Sequence, residues 1–319
     1  MSNKIYPIGI QNFEKIRRDG YFYVDKTALV YQLAKSGSYY FLSRPRRFGK
    51  SLLLSTLEAY FEGKKELFAG LAIEQLEKDW ARYPILHLDL NTQEYNSVDS
   101  LKEKLNIALT GWEKECGAEP AEKSLATRFE GIIKRTSRKM EQRVVILIDE
   151  YDKPMLQAIG RPELQEAYRS LLKSFYGALK SADGYIRFAM LTGVTKFSKV
   201  SVFSDLNNLE DISFRRNYNE LCGISEQELQ DSLGDELPEF SRSLGLTESE
   251  LCDKLRRHYD GYHFAPDTAG VYNPFSLLHA FKNREFGSYW FATGTPSYLV
   301  ELLKRHHYDL DRLAHEETD

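Results

Sequence analysis

The sequence predicts an α/β fold in which a parallel sheet is covered by helices on both faces and is followed by a smaller helical region. Four apolar segments have the length and composition of strands, at 39–43, 85–90, 144–148 and 186–191. Segments with helical spacing separate them, around 98–115, 122–140 and 163–180. Parallel strands need long crossovers, and these helices would supply them. The uncharged run Val144 to Ile148 fits a central strand buried on both sides.

Three regions of the chain differ in pattern. Residues 1–35 form an amphipathic lead-in that is too short to fold alone, so we expect it to pack on the domain that follows at 36–224. From about Ser225 the chain changes to short helices rich in leucine and charge. This change predicts a helical lid at 225–319 with a winged-helix-like element. Its predicted helices span 226–233, 237–244, 248–259 and 274–282.

Charge and cysteine content exclude several classes of protein. The 319 residues carry 43 basic and 47 acidic side chains, a net charge of -4 that gives no global basic field for nucleic acid. The three cysteines are widely separated and fit neither a disulfide framework nor a paired-thiolate zinc site, so we expect a reducing compartment. The sequence contains neither a signal peptide nor a long uncharged apolar run, which predicts a cytoplasmic protein without membrane contact.

The strongest motif lies between the first strand and the helix after it. Residues 44–51, Arg-Pro-Arg-Arg-Phe-Gly-Lys-Ser, match the phosphate-binding loop G-x4-G-K-[ST] except that Arg44 replaces the first glycine. In such a loop the glycine lets the backbone approach the phosphates, the lysine contacts the β and γ phosphates, and the serine hydroxyl ligates magnesium. A chance Gly-Lys-Ser triplet is the alternative. The predicted nucleotide-binding residues here are Arg46, Arg47, Phe48, Gly49, Lys50, Ser51 and Leu52.

The strand at 144–148 ends in two acids, and this context favours the loop assignment. Asp149 at the carboxyl end of the strand would hold magnesium through water, together with Ser51, and Glu150 would polarise the water that attacks the γ-phosphate. The alternative is that the two acids only cap the strand. An adjacent Asp-Glu pair also indicates the additional-strand class of P-loop NTPases, in which the strand at 186–191 lies between the loop strand and the Asp149 strand.

The inserted strand should end beside the γ-phosphate. Thr192 is at that position and is the predicted catalytic sensor, with a helix cap or turn residue as the alternative. Arg215 and Arg216 would either act as an arginine finger or remain a solvated basic pair. The arginines at 44, 46 and 47 would bind phosphate or pair with an acid, namely Asp25, Asp149 or Asp152.

Six motifs occur in an order that resembles the bacterial AAA-ATPase-like proteins. They are the segments 23–27, 44–51, 148–152, 191–194, 203–209 and 259–264. In that family the arginine-rich loop without its first glycine is the rule. The resemblance implies an additional-strand P-loop domain with a helical lid, and it places Asp25 near the nucleotide. Members similar to this chain usually continue into a PD-(D/E)xK nuclease-like domain, which these residues do not include.

The leading hypothesis is a magnesium-dependent ATPase whose nucleotide state moves the lid and controls an effector, either an attached nuclease-like domain or a separate protein. ATP or ADP is then the ligand, and a homo-oligomer is a further expectation. One rival is a slow switch that holds nucleotide with little turnover. Another is a nucleic-acid-binding regulator that uses Arg256, Arg257 and His258 as a local basic patch.

Overall fold

A five-stranded parallel sheet forms the centre of the molecule. A computed structural model describes residues 4–196, 202, 203, 206 and 208–290, and in them the strand order is β2-β3-β4-β1-β5. The strands are β1 Tyr39–Ser43, β2 Ile85–Asp89, β3 Val144–Asp149, β4 Ile186–Gly193 and β5 Glu210–Asp211. Leu191 of β4 pairs with Phe41 of β1 on one side and with Ile148 of β3 on the other. The order of these three strands that the sequence predicts is therefore confirmed, whereas the edge strand β5 was not predicted.

Helices cover both faces of the sheet, as predicted. The helices of this part are α1 Phe13–Arg18, α2 Thr27–Ser36, α3 Lys50–Phe61, α4 Ile73–Leu76, α5 Val98–Cys116, α6 Leu125–Met140, α7 Lys153–Gln157 and α8 Pro162–Ser181. Side chains of α5, α6 and α8 pack with Val144, Ile146 and Ile148 of β3 in one core cluster. The alternate residues Val145 and Leu147 pack with α1, α2 and α3 in another. Each such buried aliphatic side chain contributes about 1.5–3 kcal/mol, so β3 is held from both faces.

The C-terminal region forms its own small core. Its helices are α9 Glu226–Leu233, α10 Leu237–Ser243, α11 Glu248–Tyr259 and α12 Pro274–Asn283, and a short antiparallel pair joins β6 Ile224–Ser225 to β7 Val271–Tyr272. Capping boxes at Ser225 and Thr247 begin α9 and α11. The four predicted helices are confirmed to within one residue. Residues 291–319 lie outside the described residues, and the winged-helix-like element stays a prediction.

The segments flanking this small core also reach other parts of the molecule. Phe264 and Val271, which the sequence assigned to the lid, pack in the same cluster as Phe48 and the sheet. Tyr6 and Phe22 of the lead-in pack against the C-terminal helices, while α1 and α2 pack on the central domain. Residues from both ends of the described chain therefore meet beside the loop at 44–51.

Candidate functional site

The phosphate loop, residues 44–51, connects β1 to α3 and has a backbone that suits an anion. Gly49 has φ 90° and ψ 15°, a left-handed conformation in which a side chain is strained. It is the N-cap of α3, and no side chain caps the first turn. The N–H groups at the start of a helix lack intrahelical acceptors, and together with the positive end of the helix dipole they favour a phosphate.

Arg44 occupies the position of the missing first glycine, and its buried side chain anchors the phosphate loop to neighbouring backbone. Arg44 is 1% exposed, and its guanidinium donates to the carbonyls of Ser43 at 3.0 Å, Ser213 at 2.7 Å and Tyr218 at 3.0 Å. It also stacks 3.9 Å from the centre of the Phe264 ring. Burial lowers the pKa of Arg44 to about 10. Arg44 therefore binds backbone carbonyls and an aromatic ring, which is neither the phosphate contact nor the acid pairing that the sequence left open for it.

A cavity of about 340 Å³, the large cavity, opens in front of the phosphate loop. Six of the predicted nucleotide-binding residues line it, namely Arg46, Arg47, Gly49, Lys50, Ser51 and Leu52, together with the predicted catalytic residue Glu150. Phe48 instead turns into the core and packs edge-on against Tyr262, with ring centres 4.6 Å apart. The remaining lining residues were not predicted: Pro7, Ile8, Gly9, Ile10, Gln11, Asn91, Lys153, Leu156, Pro274, Phe275 and Leu278.

Lys50 and Glu150 form the polar contact at the floor of this cavity. The Lys50 ammonium lies 3.2 Å from Glu150 Oε1 and donates to the carbonyls of Arg44 at 3.1 Å and Pro45 at 3.3 Å. Glu150 has φ 52°, a left-handed conformation that is uncommon for a residue with a side chain. Backbone strain of this kind clusters at functional sites because the surrounding structure must hold it.

Ser51, Asp149 and Thr192 form a chain of short hydrogen bonds. The Ser51 hydroxyl donates to Asp149 Oδ2 at 2.5 Å, and the Thr192 hydroxyl donates to Asp149 Oδ1 at 2.5 Å. Asp149 and Thr192 are buried. The structure thus brings together the predicted metal pair and the predicted sensor. Magnesium prefers hard oxygen ligands and keeps several of its waters, so a serine hydroxyl beside a carboxylate fits that ion.

Asp152 ties the segment after β4 to this site. Its carboxylate accepts hydrogen bonds from the N–H of Val194 at 3.0 Å and from the N–H and hydroxyl of Thr195 at 2.7 and 2.8 Å. Burial raises the pKa of Asp152 to about 6, and the charge of Glu150 adds to this shift. From the sequence, Asp152 was expected only as a candidate partner of the loop arginines, although its place three residues after Asp149 was a signal for a role at the site.

A second, apolar cavity of about 90 Å³, the small cavity, adjoins the large one. The two share Gly49 and Leu52 of the loop region as well as Pro7, Pro274 and Leu278. The other walls of the small cavity are mainly apolar side chains: Phe22, Tyr23, Val24, Val30, Phe48, Leu53, Leu221, Cys222 and Ile224, with Lys26, Thr56 and Gly223. It offers an apolar slot next to the phosphate loop.

Asp25 is not brought to either cavity. Its Oδ1 accepts from the N–H and hydroxyl of Thr27 at 2.8 and 2.6 Å, and its Oδ2 accepts from the N–H of Ala72 at 2.7 Å. The carboxylate therefore joins the start of α2 to the segment before α4. The Asp25 carboxylate thus lines neither cavity, while its neighbour Lys26 lines the small cavity. The nucleotide contact that the resemblance implied for Asp25 stays a prediction.

The other candidate cations lie outside the cavities and face acids. Arg215 is 3.4 Å from Glu210, and Arg216 is 3.9 Å from Asp267. Arg256, in the suggested basic patch, is 2.9 Å from Asp253 and 3.4 Å from Glu226. In contrast, the side chain of Arg47 stacks 4.8 Å from the Phe275 ring. Across the described ranges, no helix has the length and apolar character that a membrane crossing requires.

Comparisons with known proteins match most of the chain. A protein-family model described as "Predicted AAA-ATPase" matches residues 7–203. A protein of Azotobacter chroococcum mcd 1, described as uncharacterised and encoded in the 5′ region of vnfD, is 44% identical over 305 residues. That match covers 95% of this chain and 57% of the Azotobacter protein, so the chain spans a little over half the length of that relative.

Proposed function

The chain belongs to the AAA-ATPase-like family, and from that premise we propose that it binds and hydrolyses ATP with magnesium and that its nucleotide state controls an effector. The observation that carries the proposal is that Lys50, Glu150 and Ser51 line the large cavity, with Lys50 paired to Glu150. Behind them, the buried Asp149 accepts hydrogen bonds from Ser51 and Thr192. These are the groups that P-loop NTPases use for phosphates, metal and water. The position of β4 between β1 and β3 supports the additional-strand class.

Magnesium would be held by the Ser51 hydroxyl and, through water, by Asp149, and it would neutralise charge on the β and γ phosphates. The chain's own groups do the rest. Phosphate oxygens compete with Glu150 for the Lys50 ammonium, which now lies 3.2 Å from that carboxylate. Once released, Glu150 can accept a proton from the attacking water. Thr192, hydrogen-bonded to Asp149, would sense whether the γ-phosphate is present.

The small cavity supports a purine base as the other end of the ligand. It is apolar and it shares Gly49 and Leu52 with the large cavity, so one ligand could extend from the phosphate loop into it. Apolar walls suit the faces of an aromatic base. We propose that ATP and ADP occupy both cavities in this way.

Contacts between the phosphate loop and the C-terminal region support control of an effector. The backbone carbonyl of Arg46 accepts a hydrogen bond from Trp290, Arg47 stacks on Phe275 of α12, and Phe48 packs on Tyr262. A ligand that shifts the loop would therefore also shift residues of the C-terminal region. The effector would be a nuclease-like domain, a partner protein or another copy of the chain.

A slow nucleotide switch is the second candidate, and two observations favour it. Glu150 is paired with Lys50, and both Arg215 and Arg216 face acids outside the cavities. If this pairing persisted with ATP bound, the carboxylate would be a poor base and turnover would be slow.

The test is ATP binding and phosphate release by the purified chain with magnesium, beside Lys50→Ala and Glu150→Gln. We expect Lys50→Ala to weaken binding and Glu150→Gln to preserve binding while hydrolysis falls. Lys180→Ala and Glu103→Gln, at exposed helix positions, are matched controls. Binding without turnover in the parent would select the slow switch, and no binding in the parent would refute both candidates.

A further inference from the structure

Lys153 brings a cation into the large cavity from α7 instead of from the phosphate loop. It is the first residue of α7 and lines the cavity together with Asn91 and Glu150. Its ammonium donates to the backbone carbonyl of Asn91 and, at 2.9 Å, to the side-chain Oδ1 of the same residue. Asn91 lies just beyond β2, whose last residue Asp89 pairs with Asp149. Lys153 is thus held at the carboxyl edge of the sheet.

One N–H of the Lys153 ammonium has no acceptor among the described residues. A lysine ammonium carries three N–H donors, and Asn91 accepts two of them. Within the part of the chain that the structure describes, Lys153 makes no ion pair, whereas Lys50 faces Glu150 and Lys26 faces Glu228. Burial lowers the pKa of Lys153, and the charge of Arg46 lowers it further. The charges of Glu150 and Asp89 act in the opposite direction. A partly buried cation without an acid is costly until an anion arrives.

We propose that Lys153 binds the γ-phosphate of the ATP that is held by its own chain. It would stabilise the charge that develops on this phosphate during hydrolysis. The inference rests on the proposed function, because it assigns the anion to the γ-phosphate at that site. Water attacks the γ phosphorus, the bond to the bridging oxygen breaks, and ADP leaves with the electron pair while Glu150 takes the proton. Lys153 would then do in cis what an arginine finger does elsewhere.

This role makes Lys153 a residue that distinguishes ATP from ADP. A charge-assisted hydrogen bond to the γ-phosphate contributes about 1.5–3 kcal/mol, which corresponds to roughly 10- to 150-fold in affinity. ADP offers no group at that position. The alternative is a positioning role, in which Lys153 only fixes Asn91 and the end of β2; its loss would then affect both nucleotides alike.

The experiment measures the affinity for ADP, for the non-hydrolysable β,γ-imido analogue of ATP, and for ADP with aluminium fluoride, each with magnesium, by calorimetry. The variants are Lys153→Ala, Lys153→Arg and Asn91→Ala, and Lys180→Ala on the exposed face of α8 is the control. We expect Lys153→Ala to leave ADP affinity within twofold, to weaken the imido analogue at least about tenfold and to weaken the aluminium fluoride complex more. Lys153→Arg should recover part of the loss.

The results separate the two proposals. If the parent binds none of the three ligands, the proposed function fails and this inference fails with it. If the parent binds them and Lys153→Ala weakens all three equally, as Asn91→Ala would in the positioning role, only the γ-phosphate contact is refuted. The same holds if Lys153→Ala matches the Lys180→Ala control.

Discussion

The indole N–H of Trp290 donates a hydrogen bond to the backbone carbonyl of Arg46, 2.9 Å away. The acceptor belongs to the phosphate loop, whereas the donor lies in the last part of the chain that the structure describes. The fluorescence of Trp290 therefore reports on the position of the phosphate loop.

Nucleotide binding should change the fluorescence of Trp290, because any movement of Arg46 alters the surroundings of the indole. We expect the emission change on adding ATP to be largely lost in Trp290→Phe. Trp112→Phe is the control, since Trp112 stacks on Phe129 in the core cluster on the opposite face of the sheet. A full response in Trp290→Phe would show that the loop does not signal through this contact.

Arg44→Ala should destabilise the fold, because three backbone carbonyls lose a buried donor and the Phe264 ring loses its partner. We expect the free energy of unfolding to fall by about 3 kcal/mol in urea titrations. Arg46→Ala, which removes a cavity-lining arginine, should change it by less than about 0.5 kcal/mol. Equal losses in both variants would contradict the anchoring role.

Gly49→Ala and Gly177→Ala should have opposite effects on the free energy of unfolding. Gly49 has φ 90°, so a side chain costs about 1–2 kcal/mol there, and nucleotide affinity should fall as the loop shifts. Gly177 lies inside α8 with nothing within 4 Å of an added methyl group. Alanine should stabilise that helix by about 0.5–1 kcal/mol. Thermal and urea unfolding measure both variants, and a Gly49→Ala protein as stable as the parent would be evidence against the loop geometry.

Thr192→Val should separate binding from hydrolysis. Valine keeps the shape of the buried side chain but removes the hydroxyl that donates to Asp149. We expect ADP affinity to stay within about threefold and phosphate release to fall roughly 10- to 100-fold. Thr192→Ser, which keeps the hydroxyl, should retain most of the activity. A Thr192→Val variant as active as the parent would remove Thr192 from the site.

Asp152 should make stability depend on pH in an unusual direction. Its pKa is raised from 3.8 to about 6, mainly by burial. The folded state therefore binds more protons than the unfolded state between these values, so the free energy of unfolding falls as pH rises through this range. The change should be about 3 kcal/mol relative to Asp152→Asn, which cannot titrate. Urea unfolding of both proteins from pH 4 to 7 measures it, and parallel curves would contradict the shift.

The sequence predicted most of the sheet because its signals are local. The run 144–148, the loop at 44–51 and the acids after β3 each depend on residues close together in the chain, and parallel strands align their carboxyl ends without further information. The strand β5 was not predicted, because Glu210–Asp211 is only two residues long and contains no apolar residue. Its pairing with β1 is a tertiary contact.

Several residues of the candidate site were not predicted for the same reason, because tertiary contacts bring them there. Lys153 stands beside the 148–152 motif, but only the fold shows that its ammonium reaches Asn91 beyond β2. Residues 7–11 and Phe275 are apolar or neutral and carry no chemical signal, yet they wall the large cavity. The contact of Asp25 with Ala72 was not predicted, because a motif gives proximity along the chain and not the direction in which a carboxylate points.

The large cavity is walled by residues that are far apart in the chain, so its parts are synthesised at different times. A nascent chain emerges from the ribosome amino end first, so the phosphate loop is exposed long before Pro274 and Phe275 have been added. A partial chain would carry the loop without its enclosure and would hold nucleotide weakly. Under the proposed function, tight binding of ATP would require residues 274–278 to have left the ribosome and packed against the loop, and the ligand would then stabilise the contact between the two ends of the described chain.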